Sequence, residues 1–411
     1  MNKKTTKRLV AGALSISSLI ALNSCNKKVI EGYEDISSST SIIDTTKGVS
    51  TTLSSDEDIA TCKNEADECF VSETYSVPTT KYEDDTTTTK TYYDDEKLLV
   101  CTDDNFNISD ELSNKINKAI NNFGKDRVSF DVYDLETGNS FYYNLDETFN
   151  GACIVKPGIV MYLCKLADNG LIDLNETLAY EGDVTGGSGY LNGYYNGYYA
   201  SYGQRFTLLE LMYHTLYYSD NNAYRLLHHY IVNSSYYDGY SAYMDSINAT
   251  SLKTSKDSIW VRKAQAKDGV NVMMDLYNMQ NECFNTVNVD EVFVDGNSIS
   301  KIAGKSEITY GQLPYYIMRD GKYDYIEKET GNLSITKTGF VSGSGSLSCR
   351  NLISISYGKR TYLICLLTKG NDENLRKSTV NKVLSLLNEV INEYDEYTKE
   401  NDKVLVKIMY D

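Results

Sequence analysis

The sequence predicts a mixed α/β (α+β) domain over residues 106–411: an antiparallel sheet flanked by helices, with an all-helical lobe. Three observations carry that prediction. A period-two hairpin pattern stands at the start, helical patterns fill the middle, and three strand patterns followed by a long amphipathic stretch close the chain. With strands at both ends and helices between, the first strands must pair with the last. The helical insertion then forms a second lobe, and the cleft between lobes is a usual place for a site.

The elements follow in order. Ile108–Asn122 has the apolar spacing of an amphipathic helix. Arg127–Tyr133 alternates apolar and polar, Glu136-Thr137-Gly138-Asn139 is a turn, and Ser140–Tyr143 resumes as a strand. Helical spacing then predicts Ile154–Ala167, Leu208–Tyr218, Ala223–Ile231, Asp268–Met279 and Asp290–Ile302. Strands are predicted at Leu333–Thr338, Asn351–Tyr357 and Thr361–Leu367, and Ser378–Tyr397 ends the domain as a helix.

The residues before this domain read differently. Residues 1–25 place Lys3, Lys4, Lys7 and Arg8 ahead of the uncharged, largely apolar run Leu9–Leu22, which is shorter than the ~20 residues a membrane-spanning helix needs. That is the pattern of a secretory signal. Residues 26–105 are rich in Ser, Thr, Asp and Glu, without apolar periodicity, and carry 19 acids against 7 bases. Such a composition buries too little apolar surface to offset chain entropy and predicts a disordered, extended tether. Of the chain's net −17, this tether therefore holds −12. The acidic balance excludes a nucleic-acid partner, which needs clustered Lys and Arg. Cys62 and Cys69 are spaced for a small disulfide loop or two free thiols, not for zinc.

Three short stretches carry chemistry. Cys153-Ile154-Val155-Lys156 opens a predicted helix, Ser219-Asp220-Asn221 sits at a helix junction, and Lys337-Thr338-Gly339 ends a predicted strand. Separated by 66 and 118 residues, they follow the order S-x-x-K, S-D-N, K-T-G, with Cys in place of the first Ser. In these motifs and their setting the domain resembles the class A β-lactamases and related penicillin-binding proteins. Leu22-Asn23-Ser24-Cys25 likewise resembles a bacterial lipobox. That second resemblance implies a lipid on Cys25 and a mature protein anchored to the outer face of a membrane.

The first resemblance implies roles. Cys153 would be the nucleophile, and Lys156, one helical turn on, its basic or ammonium partner. A helix N-terminus and an ammonium both favour a thiolate, so Cys153 needs no separate base. Ser219 would relay a proton to the leaving group and Asn221 bind the substrate amide. Lys337 and Thr338 would hold the substrate carboxylate, joined by Arg350. Gly339 closes the third motif, and the backbone N–H groups of Cys153 and Phe340 would form the oxyanion hole. The implied substrates are β-lactams or D-Ala-D-Ala-type wall peptides.

Two departures from the family pattern bear on activity. The nucleophile is Cys, and residues 250–268 contain no Glu to activate a deacylating water; Asp257 is the nearest acid there. Two functions thus stand: an acyl-transfer hydrolase, or an inactive domain keeping its cleft as a binding module for wall fragments or a partner protein. No metal or cofactor is expected, since His214, His228 and His229 lack ligand spacing, and the domain is expected to be a monomer. The tract Tyr190–Tyr202 is either a generic loop or one able to stack on a glycan or peptide. Trp260 reads as packing.

Overall fold

In the computed structural model the described residues are 98–183, 189–193, 198–290, 293–294, 297–319, 325–342, 347–370 and 377–410. All fall in the compact unit Asn64–Asp411. The signal, Cys25 and most of the tether lie outside the described residues.

The first half holds β1 (Val100–Cys101), α1 (Asp110–Phe123), β2 (Val128–Asp134), β3 (Ser140–Tyr143) and α2 (Lys156–Asp168). Next come β4 (Thr177–Ala179), β5 (Arg205–Thr207), α3 (Leu208–Tyr217), α4 (Asn221–Asn233), α5 (Tyr237–Ser246) and α6 (Ala266–Glu282). Small elements follow: β6 (Thr286–Asn288), β7 (Phe293–Val294), β8 (Asn297–Ser298), α7 (Ile299–Ala303), β9 (Glu307–Thr309), α8 (Leu313–Arg319) and α9 (Tyr325–Thr330). The chain closes with β10 (Leu333–Val341), β11 (Cys349–Tyr357), β12 (Thr361–Thr368) and α10 (Lys377–Tyr410).

The main sheet has the order β1-β3-β2-β12-β11-β10, antiparallel throughout. The expected pairing of first with last strands is present: Phe130 of β2 lies opposite Leu366 of β12. Strand alternation divides the core. Phe130, Val132, Ile364 and Leu366 pack on one face with Ile120 of α1 and Leu387 of α10. Leu363, Cys365 and Leu367 pack on the other with α2, α3 and α6. Each such fully buried side chain stabilises the fold by about 1.5–3 kcal/mol.

Three expectations are corrected. The domain begins before residue 106, because Leu99 is buried and Val100 and Cys101 pair with Tyr142 and Phe141. Leu98-Leu99-Val100 supplies the apolar side chains that the acidic segment before it lacks. Asp290–Ile302 is not one helix. The side chain of Asn288 accepts from the Asp290 N–H at 2.8 Å and turns the chain, while β-branched Thr286 and Val287 pair with Thr309 and Ile308. Finally, β10 continues past Thr338 to Val341 and β11 starts at Cys349, so Lys337-Thr338-Gly339 lies within a strand and not at its end. Register with β11 carries it on: Gly339 faces Asn351 and Phe340 faces Arg350.

Candidate active site

Cys153 lies in a 3₁₀ turn, Ala152–Val155, that feeds directly into α2, where Lys156 is the first residue. The turn is entered through Ala152 at φ 46°, a left-handed conformation costly for a residue with a Cβ. It is held from both sides. The Gly151 N–H donates to Val261 O at 2.9 Å, and Asn351 donates through Nδ2 to Asn150 O at 2.6 Å. Gly339 of β10 presses against it so closely that an added Cβ would stand 2.8 Å from the Cys153 nitrogen. Glycine is required there by contact, not by backbone conformation.

Ser219 joins α3 to α4, again with a left-handed φ of 56°. The stretch Ser219–Asn222 alternates between two duties. Asp220 caps α4 by accepting from the Ala223 N–H at 2.8 Å and also accepts from the Leu191 N–H at 2.8 Å. Asn222 donates to Asp183 at 2.9 Å. Ser219 and Asn221 face the other way, into the cluster of lysines.

That cluster is closely bonded. Lys156 Nζ donates to Asn221 Oδ1 at 2.7 Å, to Ser219 Oγ at 3.3 Å and to the Ser219 carbonyl. The two carbonyl oxygens can only accept, whereas the Ser219 hydroxyl can accept from an ammonium or donate to the lone pair of a neutral amine. Lys337 Nζ donates to Ser219 Oγ at 2.8 Å and to Thr338 O at 2.8 Å. The Cys153 thiol reaches Asn221 Oδ1 at 3.9 Å. Cys153, Lys156, Ser219, Asn221 and Lys337 are all buried, Lys156 completely. Burying two cations this deeply is expensive unless acceptors or an anion compensate.

Two further features mark the cluster as a binding place. Asn221 is 1 % exposed, yet its amide Nδ2 has no partner among the described residues. A buried donor left unmatched costs ~1–3 kcal/mol, a cost that a ligand carbonyl would relieve. Tyr224, three residues along α4, lays its ring 5.6 Å from Lys156 Nζ, with its hydroxyl buried and unmatched. Burial raises the Tyr224 hydroxyl well above the usual phenol range, so it stays protonated. The sequence reading missed this residue, although its i+3 spacing from Asn221 was visible.

The other expected groups divide by strand face. Thr338 and Phe340 alternate with Lys337 and Gly339, and so lie on the opposite side of β10, beside Arg350 and Leu352 of β11. The Arg350 guanidinium stacks 4.2 Å from the Phe340 ring centroid. Thr338, Phe340 and Arg350 line a shallow cleft completed by Val380, Asn381 and Leu384 of α10. Asp257 is exposed, and among the described residues the hydrogen-bond partners of Lys156 include no carboxylate. Of the histidines, His214 stacks on Tyr190 at 4.6 Å and His228 bonds Ser255 O at 2.8 Å, both away from the lysines.

Comparison with known proteins agrees with this architecture. Residues 111–293, which hold the first two motifs, match the β-lactamase enzyme family. No curated protein matches the sequence. Among solved structures, a β-lactamase from Chitinophaga pinensis superposes with a TM-score of 0.52 at 13 % identity, covering 69 % of this chain and 100 % of that one. A β-lactamase from Xanthomonas campestris gives 0.50 at 15 % identity, covering 69 % and 98 %. PBP-A gives 0.50 at 14 % identity, covering 69 % and 97 %. At such identities the likeness establishes the fold. By family match over residues 111–293 and by fold, the domain is β-lactamase-like, resembling the class A β-lactamases and penicillin-binding proteins.

Proposed function

We propose that the protein is an exported, lipid-anchored acyl-transfer hydrolase that uses Cys153 as its nucleophile on β-lactams or on D-Ala-D-Ala-type wall peptides. The observation that carries this reading is the convergence of Cys153, Lys156, Ser219 and Lys337 around the unmatched amide of Asn221. A pure binding module has less need of Lys156.

The chemistry follows from the charge states. In this reading Lys156, as an ammonium, favours the Cys153 thiolate instead of acting as a base. The thiolate sulfur attacks the amide carbonyl carbon, and the oxyanion that forms meets the backbone N–H groups of Cys153 and Phe340. The C–N bond then breaks. Its nitrogen takes the Ser219 hydroxyl proton, which either bonded lysine replaces, leaving a thioester on Cys153. Water or an amine adds to the thioester carbonyl and gives its proton, through Ser219, to the lysine left neutral by acylation; the C–S bond breaks and the thiolate returns. Asn221 would orient the substrate amide and Lys337 would neutralise its carboxylate, whereas Thr338 and Arg350, on the other side of β10, are not placed to join it. With no carboxylate on Lys156 to activate water, this last step is slow and the acyl-enzyme accumulates.

Intact-mass spectrometry of the full chain with a penicillin and a chromogenic cephalosporin tests this. A long-lived adduct on Cys153, absent in Cys153→Ala, is expected. No adduct and no turnover in either the native chain or Cys153→Ser would overturn the reading and leave an inactive binding module. The membrane anchor is tested separately, since Cys25→Ala should release the protein from the membrane fraction.

A further inference from the structure

Residues 184–204 contain no charged side chain, in a protein where 24 % of residues are charged. Within this run, 189–204 holds six tyrosines and four glycines together with Asn192, Asn196, Ser201 and Gln204. Rigid aromatic rings interspersed with small and amide side chains are typical of recognition surfaces, because Tyr offers a large contact area at low entropic cost. The absence of charge selects against an ionic ligand.

The described part of this segment is firmly rooted next to the catalytic cluster. The Leu191 N–H bonds Asp220, Tyr190 stacks between Tyr198 at 5.0 Å and His214 at 4.6 Å, and Leu191 is fully buried. At its other end the Tyr180 N–H donates to Gln204 O at 2.7 Å and the Gly203 N–H to Tyr180 O at 2.8 Å. Gln204 also bonds the Tyr198 hydroxyl. Upon this base Tyr199 and Tyr202 stand 71 % and 83 % exposed. Tyr199 is seated and not dangling. Gly193, at φ 81°, lets the ring lie against its backbone, and a Cβ there would fall 2.4 Å from the ring. The tip of the ring thus lies against the chain while most of the side chain stays open to solvent.

We propose that Tyr199 and Tyr202 form a stacking platform for a neutral saccharide, placed beside the acyl-transfer cluster so that a glycan-linked substrate is held by its sugar. Pyranose rings present flat C–H faces that pack on aromatic rings, and their hydroxyls suit the amides and hydroxyls of Asn192 and Ser201. The placement rests on the proposed wall-directed function, but the binding itself does not depend on Cys153.

Isothermal titration calorimetry of the full chain with the N-acetylglucosamine tetramer tests the platform. Saturable binding is expected, weakened about tenfold by Tyr199→Ala and by Tyr202→Ala, retained by Tyr202→Phe, and unchanged by Cys153→Ala. Both tyrosines are exposed, so unchanged melting temperatures are expected to accompany the loss. Absence of binding, binding indifferent to the Tyr→Ala changes, or preference for a sugar-free stem peptide would each overturn the proposal. Sugar binding without a Cys153 adduct would refute the proposed enzyme and keep the platform.

Discussion

Lys337 Nζ stands 2.8 Å from the Ser219 hydroxyl oxygen, and Lys156 Nζ shares that oxygen at 3.3 Å. Both lysine amines thus converge on one hydroxyl. In the proposed mechanism Ser219 protonates the leaving group, and its left-handed backbone places it between the two lysines.

Ser219→Ala should therefore slow acylation by an amide or lactam by about 10²–10⁴, the usual worth of a positioned proton donor. A thioester substrate, whose sulfur leaves without a proton, should be much less affected. Stopped-flow acylation rates on the two substrate types make the comparison. Equal losses on both would remove Ser219 from the proton path.

Cys153→Ser tests the thiolate argument directly. A serine hydroxyl must lose its proton during attack, and in the proposed thiolate mechanism Lys156 is an ammonium with no free pair to receive it. The acylation rate is expected to fall at least about a hundredfold, against little loss if Lys156 worked as a neutral base. Adduct formation followed by mass over time distinguishes the two.

The strand and helix pattern of the domain was legible because its signals are local: alternation in Arg127–Tyr133, apolar spacing in Leu208–Tyr218, and turn residues at Glu136–Asn139. The cluster was legible for a different reason, since Cys153, Lys156, Ser219, Asn221 and Lys337 lie in short motifs of known order. What escaped depends on contacts between distant segments. Tyr224 matters only because α4 lies beside Lys156, and β10 runs past Thr338 only because Arg350 and Asn351 arrive opposite Phe340 and Gly339. The start at Leu99 was hidden because two residues of strand carry no periodicity.

Gly339→Ala isolates one of those distant contacts. Its new methyl would stand 2.8 Å from the Cys153 nitrogen and 3.0 Å from the Ala152 Cβ, both parts of a packed turn with little room to move. Overpacking of this kind costs about 1–3 kcal/mol. The melting temperature should fall, and acylation should fall with it because the Cys153 N–H is moved from the oxyanion position. A variant with full stability but no acylation would show that the turn yields while the chemistry does not.

Asp131 offers a prediction about pH. It sits on β2 opposite Cys365, 6 % exposed, with Oδ1 unmatched, and burial raises its carboxyl to about 6 despite a bond to Ser140. Because the folded value lies above the unfolded one, the folded state binds the proton more tightly, and stability from this group is lost as pH rises from about 4 to about 6. Ionised Asp131 then costs on the order of 3 kcal/mol, from about two units at 1.36 kcal/mol each. Asp131→Asn keeps the shape and removes the charge. Urea unfolding should find the variant about as stable as the native chain near pH 4 and more stable by up to ~3 kcal/mol near pH 7.5. Since the other buried acids, Asp220 among them, titrate in both proteins, the difference between the two curves belongs to Asp131. A variant less stable at the higher pH would mean that the ionised carboxylate is stabilised where it lies.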